Sequence, residues 1–555
     1  MAGMLNNSVS GLRAIQRALD TTSHNISNAN TEGYSRQKAV ISSSKPDFDG
    51  AGYIGSGSYV ETVRREFDGL VERQLRSATS ESARYQAQQT LTEQVNQVVG
   101  DLDSGIAQTM QGVFSAAQDV ASNPGDMSAR SGYLGAVETT VNQFNRVDQQ
   151  LNDLQFQLEE QGSQMAREVN GWAREVADLN QTISEAYQTN RNALPNDLMD
   201  RRDTLVRNIA ERVDIKTLDS RDGNINLYLS SGQALVVNDI AQEFSAESGN
   251  SNRLTVRLGG NDVTDRISGG SLGGIIESQD RVIGDLRNEL GRAGMVLTTM
   301  INQSQADGFQ YDSADAGEPL IAMDAATPAQ TGLAGEPFEG KAIARASNEG
   351  DAQIAFEVDD AYALAGDTYQ LRYDGTDWEA FASSAPNTAV DPATIPGVAL
   401  DITGTPEAGD TFDLRPGEGM AGRLKMTDAA RDPESVAAAG AADAPRDNDN
   451  INALIEQGRQ RVAKTDAGGE GTQSLADIVN GAVSKVGTYA SQVRMRADAA
   501  ETNLEYFTNR RESVSGVNLD EEAANLLKFQ QSYQALARTI AVSDTVFQSL
   551  LGAMG

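Results

Sequence analysis

The chain has 555 residues, no cysteine, one histidine and a formal net charge of −34 at pH 7. Its length exceeds what one hydrophobic core organises, so several domains are expected. Disulfides and thiolate metal sites are excluded, as are most zinc sites and proton-shuttle chemistry. Between 351 and 420 there are 14 Asp and Glu against 2 Lys and Arg, which argues against nucleic acid or anionic lipid as partners. We expect a solvated acidic surface and no cofactor or metal.

The N-terminus carries no recognisable cleaved signal peptide. Its first ten residues, MAGMLNNSVS, contain neither a basic n-region nor an apolar h-region. No apolar run approaches the ~18 residues of a membrane-spanning helix. These rules predict a cytoplasmic chain without membrane insertion, unless export uses an uncleaved signal.

The first element is a helix with an apolar residue at every seventh position. These residues are Leu5, Leu12, Leu19 and Ile26. Such spacing places them on one narrow face, as in coiled coils. The sequence therefore predicts a seam that a second helix buries.

The helix ends in a polar segment, HNISNANTEGY (24–34), whose role has two interpretations. A binding or catalytic site is one, but His24 alone supplies no ligand set, and the glycosylation sequon at Asn25 is common by chance. The other is a structural turn into an extended arm, in which Asn28 and Asn30 bond exposed backbone and Gly33 takes a conformation that other residues resist. We favour the turn.

The interior alternates between helical and β patterns. Helices are predicted over 66–118, 137–190, 272–305 and 472–512. From 214 the sequence DIKTLDSRDGNINLYLSSGQALVV alternates apolar and polar residues around Asp-Gly and Ser-Gly turns, which indicates hairpins. Residues 340–416 are again β-like, and GDTYQLRYDG (366–375) and GDTFDLRPGE (409–418) predict two related turn-plus-strand units.

The last helix repeats the seven-residue spacing of the first. Its apolar positions are Leu519, Leu526, Tyr533, Ile540 and Phe547, with Phe529, Leu536 and Leu550 three residues after three of them. Asn518 is predicted to cap this helix, with Glu521 completing a capping box. Because isolated helices of this length are marginal in water, both ends are expected to stay loose until a partner arrives.

These elements predict a mainly α fold with inserted β domains. The N- and C-terminal segments form a long helical bundle or coiled coil, and the middle of the chain supplies β-rich outer domains. The predicted division is a terminal coiled-coil domain (1–40 with 515–555), a helical rod domain (41–213 with 451–514), a β-rich domain with a following helix (214–310), an outer β-rich domain (311–430) and a linker (431–450).

Three motifs that could carry chemistry are incomplete. GGSLG (269–273) matches a nucleophile elbow around Ser271, but it lacks a preceding buried strand and a later histidine. GEPFEGKA (335–342) lacks the hydroxyl that a phosphate-binding loop needs for magnesium. DNDNIN (447–452) fails the calcium-loop spacing and reads better as an Asx-rich turn that caps the next helix. No active site is predicted, and the chain is not expected to be an enzyme.

Both ends resemble known signatures. The leucine-bearing helix followed by HNISNANTEGYSRQ resembles the N-terminal signature of bacterial flagellar axial proteins (rod, hook and hook-associated subunits), and residues 515–552 resemble their C-terminal signature. In the interior, NDLMDRRDTLVRNIAERVDIKT (196–217) and GGSLGGIIESQDRVIGDLRNELGRAG (269–294) resemble the first hook-associated proteins, the subunits of the hook–filament junction. The resemblance spans 1–310 and 450–555.

The resemblance implies a structural flagellar subunit that joins hook to filament. It implies export through the type III apparatus without signal cleavage, and hence an extracellular location. The implied partners are the hook protein, the second junction protein below the filament, further copies in a ring or helical assembly, an export chaperone and the export gate. The alternatives are a secreted acidic adhesin or surface-layer protein and, as an enzyme, a secreted hydrolase.

The predicted assembly interface combines the two seams with the polar segment. Its residues are Leu5, Leu12, Leu19, Ile26, Asn28, Asn30, Gly33, Tyr34, Leu519, Leu526, Phe529, Tyr533, Leu536, Ile540, Phe547 and Leu550. We predict assembly-coupled folding, in which the two seams pair and then pack against neighbouring subunits.

Overall fold

A computed structural model describes residues 2–48, 53–189, 194–220, 222–249, 253–323, 338–345, 347–465 and 470–554. Long helices dominate these ranges. The helices are α1 (Ala2–Ser27), α2 (Gly69–Ser104), α3 (Ile106–Ser122), α4 (Met127–Thr189), α5 (Asn196–Arg212), α6 (Gly270–Ser278), α7 (Asp285–Asp307), α8 (Asp449–Arg459), α9 (Leu475–Ser515) and α10 (Leu519–Met554). A π-helical turn (Gln279–Gly284) joins α6 to α7.

The strands fall between the helices. Near the N-terminus they are β1 (Gln37–Ser43), β2 (Asp47–Phe48), β3 (Tyr53–Ile54) and β4 (Ser58–Arg65). After α5 come β5 (Ile215–Asp219), β6 (Ile225–Leu229), β7 (Ala234–Val237), β8 (Ile240–Ala241), β9 (Phe244–Ser248), β10 (Leu254–Leu258) and β11 (Asn261–Asp262). After α7 come β12 (Ile321–Met323), β13 (Phe338–Lys341), β14 (Ile343–Ala344), β15 (Gln353–Val358), β16 (Tyr369–Tyr373), β17 (Trp378–Ala382), β18 (Ala389–Val390), β19 (Ala399–Thr403), β20 (Thr411–Leu414) and β21 (Leu424–Met426). A hairpin of β22 (Ala463–Thr465) and β23 (Gly471–Gln473) precedes α9.

The predicted fold class, mainly α with inserted β domains, is confirmed. Helix α4 is the central rod, and at 63 residues it is longer than the predicted 137–190 segment. At 1.5 Å per residue it spans ~95 Å. Its apolar stripe is buried at Val137, Phe144, Leu151, Val169 and Ile183. No described helix has the length and apolar character needed to cross a membrane.

The β insertion is built from small antiparallel sheets. Strands β5 to β8 form a four-stranded meander, and β9 to β11 form a three-stranded sheet against α4. Beyond α7, sheets β13-β15-β19 and β14-β20-β16-β17-β18 build the outer β region. The two related segments both contain strands, β16 and β20, and these pair directly, with Tyr369 opposite Leu414. Both strands lie inside the five-stranded sheet.

Within residues 431–450, predicted as a linker, the stretch 435–439 is buried in the molecule instead. Val436, Ala437 and Ala438 are buried. Arg130 of α4 donates a hydrogen bond of 2.6 Å to the carbonyl of Val436, and Gln305 of α7 accepts one of 2.9 Å from the Ala437 amide. Composition misleads here because small alanine side chains let a backbone approach helices closely, whereas their mild hydropathy resembles that of a solvated segment.

The first and last helices pair antiparallel, which confirms that the two ends of the chain are built to meet. Asn25 contacts Glu522 and Gly11 contacts Leu536. Moving 14 residues back along α1 therefore moves 14 residues forward along α10. Helix α1 also rests on the ribbon of β1 and β4, so three elements meet along it.

The buried face of α1 is not the leucine seam. It is a stripe of small and polar residues, formed by Ser8, Gly11, Ala14, Ala18, Thr22 and Asn25. Leu12, Leu19 and Ile26 are only half-buried and Leu5 is exposed. Small residues occupy the buried face of α1 because they let two helices approach more closely than leucines do. The larger side chains of α10 then fill the space beside them. The prediction that the leucines of α1 form its buried seam is wrong for packing within the chain.

Candidate assembly interface

Asn25 is the centre of the contact between the chain ends. Its side chain is 1% exposed and all of its hydrogen-bonding capacity is used. The amide nitrogen donates to the Gln37 carbonyl (2.8 Å) and to Glu522 Oε2 (3.2 Å). The amide oxygen accepts from the Gln37 amide (2.9 Å) and from the Tyr34 hydroxyl (2.8 Å). One side chain thus joins α1, the start of β1 and α10.

Glu522 and Arg36 complete this junction with an ion pair. Arg36 Nε donates to Glu522 Oε1 at 2.7 Å, and its terminal nitrogens donate to both oxygens of Glu521. The Glu522 side chain is 2% exposed. Asn518 caps α10 as predicted, since its side chain accepts from the amides of Asp520 (3.0 Å) and Glu521 (3.2 Å). The carboxylate of Glu521, predicted to complete a capping box, bonds Arg36.

Gly33 lies between α1 and β1, where the extended arm that follows α1 meets α5. Its φ is +78°, and a Cβ at this position would lie 2.2 Å from Thr204 Oγ1 and 2.8 Å from Arg207 Nη2. The Gly33 carbonyl accepts a hydrogen bond of 2.8 Å from Arg511 of α9. The backbone conformation and the close approach of α5 both require glycine here.

Helix α5 anchors the arm through buried charges. Asp200 accepts from the Ser35 amide (2.9 Å) and from Arg65 of β4 (2.8 Å), and Arg65 also reaches Asp203 at 2.6 Å. Burial raises the pKa of Asp200, although the hydrogen bonds from Arg65 and Ser35 oppose the shift. The segment NDLMDRRD therefore holds the arm against the rod in a fixed position.

Tyr34 connects His24 to this junction. Besides its bond to Asn25, the Tyr34 hydroxyl lies 3.1 Å from His24 Nδ1. Burial raises the pKa of Tyr34, and the charges of Asp197, Asp200 and Glu522 add to the shift. His24 Nε2 is 3.9 Å from Asp197 Oδ2, between two largely exposed side chains.

Replacing His24 with alanine is expected to change the free energy of unfolding by less than ~0.5 kcal/mol, because its contacts are exposed and surface ion pairs contribute little. Tyr34 keeps its bond to Asn25. Urea unfolding of the purified variant measures this change, and assembly should be unaffected. A loss comparable to that from a buried side chain would show that His24 has a role beyond the turn.

The remaining predicted interface residues divide by exposure. In α10, Leu526, Phe529, Leu536 and Ile540 are half-buried, whereas Leu519, Tyr533 and Phe547 are exposed. The side chain of Leu550 lies outside the described residues. Asn28 closes the end of α1 by donating to the His24 carbonyl at 3.0 Å, and Asn30 is exposed.

The three incomplete motifs take structural places. Gly270 begins α6 with a φ of +70°, and Ser271 Oγ donates to the Glu211 carbonyl at 3.1 Å, so GGSLG is a glycine turn into a helix, as predicted. Asp447 accepts from the amides of Gly440 and Asp449 before α8, which confirms the Asx-rich turn. Of GEPFEGKA, residues 335–337 lie outside the described part of the chain and the next four form β13.

Sequence reasoning missed Arg36 and Glu522 and underrated Asn25. The sequence did carry a signal for Glu522 and Asn25. Their carboxylate and amide stand close to heptad positions, where apolar residues are expected. Neither position identifies its partner, because the two residues are 497 positions apart.

Comparisons with known proteins agree with this arrangement. Residues 92–321 match the model described as the flagellar hook-associated protein FlgK helical domain. Residues 5–34 match the flagella basal body rod protein model, and residues 511–553 match the C-terminal model of the basal body rod FlgEFG proteins. The terminal matches cover the helices that pair in the structure.

Full-length relatives and one solved structure are also similar. The chain is 30% identical to flagellar hook-associated protein 1 of Escherichia coli K12, over 99% of this chain and 100% of the relative. It is 25% identical to the protein of the same name from Bacillus subtilis 168, over 98% and 96%. The structure of the flagellar hook junction protein FlgK from Burkholderia pseudomallei matches with a TM-score of 0.68 and 20% identity, over 80% of this chain and 100% of that one.

Proposed function

The chain belongs to the family of flagellar hook-associated protein 1 and is a structural component of the bacterial flagellum, and we propose that its terminal helices complete their folding only when they pack against neighbouring subunits. The relatives support a structural hook-associated role and not the adhesin alternative. Catalysis forms no part of the proposal, since Ser271 and His24 both serve turns.

The exposed apolar surface of the terminal pair carries this proposal. Among the described residues, eight of the eighteen exposed large apolar side chains lie on α1 and α10. They are Met4, Leu5, Leu519, Leu527, Tyr533, Val542, Val546 and Phe547. We call this set the terminal apolar surface. Their concentration on one helix pair is the reason to assign an interaction surface there, and burying each such side chain contributes about 1.5–3 kcal/mol.

Helix α10 gains little burial from its own chain. Its fully buried side chains, among those described, are the polar residues Glu522 and Ser543. A 36-residue helix with one half-buried apolar face depends on further contacts for its stability. Neighbouring copies of this chain, the hook protein below and the second junction protein above supply those contacts in the proposed assembly.

Export and location follow from the same proposal. The chain leaves the cell through the flagellar type III gate with the help of an export chaperone and without signal cleavage, and it acts outside the cell at the hook–filament junction. The terminal pair (1–40 with 515–555), the rod (41–213 with 451–514), the β-rich part (214–310) and the outer β region (311–430) are the proposed domains. Residues 431–450, of which 435–439 are buried against the helices, are assigned to the rod.

The proposal is tested by removing the terminal apolar surface without disturbing the monomer. The double variant Leu527→Ser/Phe547→Ser is expected to keep the melting temperature of the wild-type monomer, because both side chains are exposed (58% and 52%). In a strain lacking the chromosomal copy, it should leave hooks intact but release unpolymerised filament subunits into the medium.

The matched control is Leu218→Ser/Ile240→Ser, which removes two equally exposed apolar side chains (59% and 61%) from the β5–β8 sheet. This control should restore filaments. Filaments formed by the α10 variant would contradict the proposed interface. Protease-resistant ends in the purified wild-type monomer would instead contradict folding coupled to assembly.

A further inference from the structure

Two short paired strands, here called the neck, lie between the rod and the outermost sheets. We call residues 338–414, which contain β13 to β20, the outer domain. The neck is the pair β12 and β21, with three residues on each strand. The chain reaches the neck from β20 through residues 415–424, here called the exit segment. Such a short neck leaves the orientation of the outer domain to other contacts.

The exit segment lies in a groove lined by glycines on the π turn and α7. A Cβ at Gly291 would lie 1.7 Å from the Gly417 carbonyl oxygen, and one at Gly294 would lie 3.0 Å from Leu424 Cδ1. Three residues before Gly291, Asn288 Oδ1 accepts a hydrogen bond of 2.8 Å from the Gly417 amide. Helix α7 therefore holds the exit segment through close backbone contacts and one hydrogen bond to the buried side chain of Asn288.

Arg415 ends the groove at the π turn. A Cβ at Gly284 would lie 1.5 Å from Arg415 Nη1, so the guanidinium occupies the space that a side chain at this position would need. The same nitrogen donates to the Asp280 carbonyl at 3.2 Å. Arg415 is also paired with the carboxylates of Asp280 (3.5 Å) and Glu418 (3.7 Å). Single π turns are often found at functional sites, and this one forms a socket for Arg415, the first residue of the exit segment.

Further ion pairs and a hydrogen bond connect the outer domain and the exit segment to the rest of the molecule. Arg253, next to β10, lies 3.2 Å from Asp280, 3.6 Å from Asp413 and 3.4 Å from Glu418. Beside the exit segment, Arg292 of α7 donates to the Leu364 carbonyl at 3.1 Å. These contacts are ion pairs and hydrogen bonds.

We propose that Arg415 in the socket at Gly284 is a latch that fixes the orientation of the outer domain, and that releasing the latch lets the outer domain turn relative to the rod. This inference goes beyond the proposed assembly function, since it concerns residues remote from the terminal helices. The latched and released states differ in ionic contacts, so salt shifts the balance between them.

The test measures a distance between the outer domain and the rod. The chain has no cysteine, so spin labels attached at Asn387→Cys and Gln161→Cys, both exposed, report a single distance by pulsed electron resonance. The full chain is expected to give one narrow distribution at low salt. It should broaden toward 1 M salt, where the Debye length falls to ~3 Å.

Two variants remove the latch in different ways. Arg415→Met removes the charge and keeps an apolar stem, whereas Gly284→Ala blocks the socket although alanine favours helix by about 1 kcal/mol over glycine. Both are expected to broaden the distribution at low salt and to reduce its further broadening at high salt, since the ion pairs of Arg253 remain. Circular dichroism confirms that each variant remains folded.

The matched controls are Arg372→Met, which removes an exposed pair with Glu379, and Gly171→Ala, whose added Cβ meets nothing within 4 Å. Both should retain the narrow distribution. Broadening by both latch variants and by neither control supports the latch. A narrow distribution in either latch variant, or broadening in the controls, overturns it.

Discussion

Replacing Gly33 with valine is expected to destabilise the chain by about 3–5 kcal/mol, which combines a strained backbone and an overfilled contact. The φ of +78° excludes β-branched residues, and the new Cβ would lie 2.2 Å from Thr204 Oγ1. Relief requires α5 to move away from the arm. Urea unfolding of the purified monomer measures the loss, and swimming on soft agar reports its consequence.

Gly232→Val separates the two causes of this loss. Gly232 also has a positive φ (+97°), but a Cβ there meets nothing within 4 Å. The free energy of unfolding of that variant should fall only by the cost of backbone strain, about 1–3 kcal/mol. A strain that carries it should swim normally. If the two variants lose the same amount, close packing on α5 contributes nothing and the arm is not held at Gly33.

The change Asn25→Asp is expected to separate the two ends of the chain. The introduced carboxylate lies beside the buried Glu522, since the amide nitrogen it replaces is 3.2 Å from Glu522 Oε2. It also loses the donor to the Gln37 carbonyl. A buried charge left without compensation costs about 3–5 kcal/mol, so the contact between Asn25 and the start of α10 should open at neutral pH.

The effect of Asn25→Asp depends on pH in a defined direction. Burial and the charge of Glu522 raise the pKa of the new carboxyl in the folded state above its unfolded value of about 3.9. The stability difference from wild type should therefore be smallest below that value, grow as the pH rises toward the folded-state pKa, and level off above it. Urea unfolding near pH 4 and at pH 7 tests this.

Asn30→Asp is the control for the same chemical change at an exposed position. It should leave stability unchanged at both pH values. A pH-independent loss in Asn25→Asp would mean that missing hydrogen bonds, and not repulsion from Glu522, explain the effect.

The sequence alone determined the elements and their order. The seven-residue repeats in α1 and α10, the apolar spacing of α4 and the Asp-Gly and Ser-Gly turns depend on residues a few positions apart, and such local patterns are written directly in the chain. The turn at Gly33 and the cap at Asn518 were predictable for the same reason. The family resemblance rested on the same local segments.

Only the tertiary structure decided which faces meet. The repeat in α1 shows that one face carries leucines, but close approach to α10 favours the face with Gly11, Ala14 and Ala18. The leucines are thereby left half-buried or exposed. The pairing of Asn25 with Glu522, and of Arg415 with the socket at Gly284, joins residues far apart in the chain. No local pattern encodes such partners, because each is chosen by the packing of whole helices.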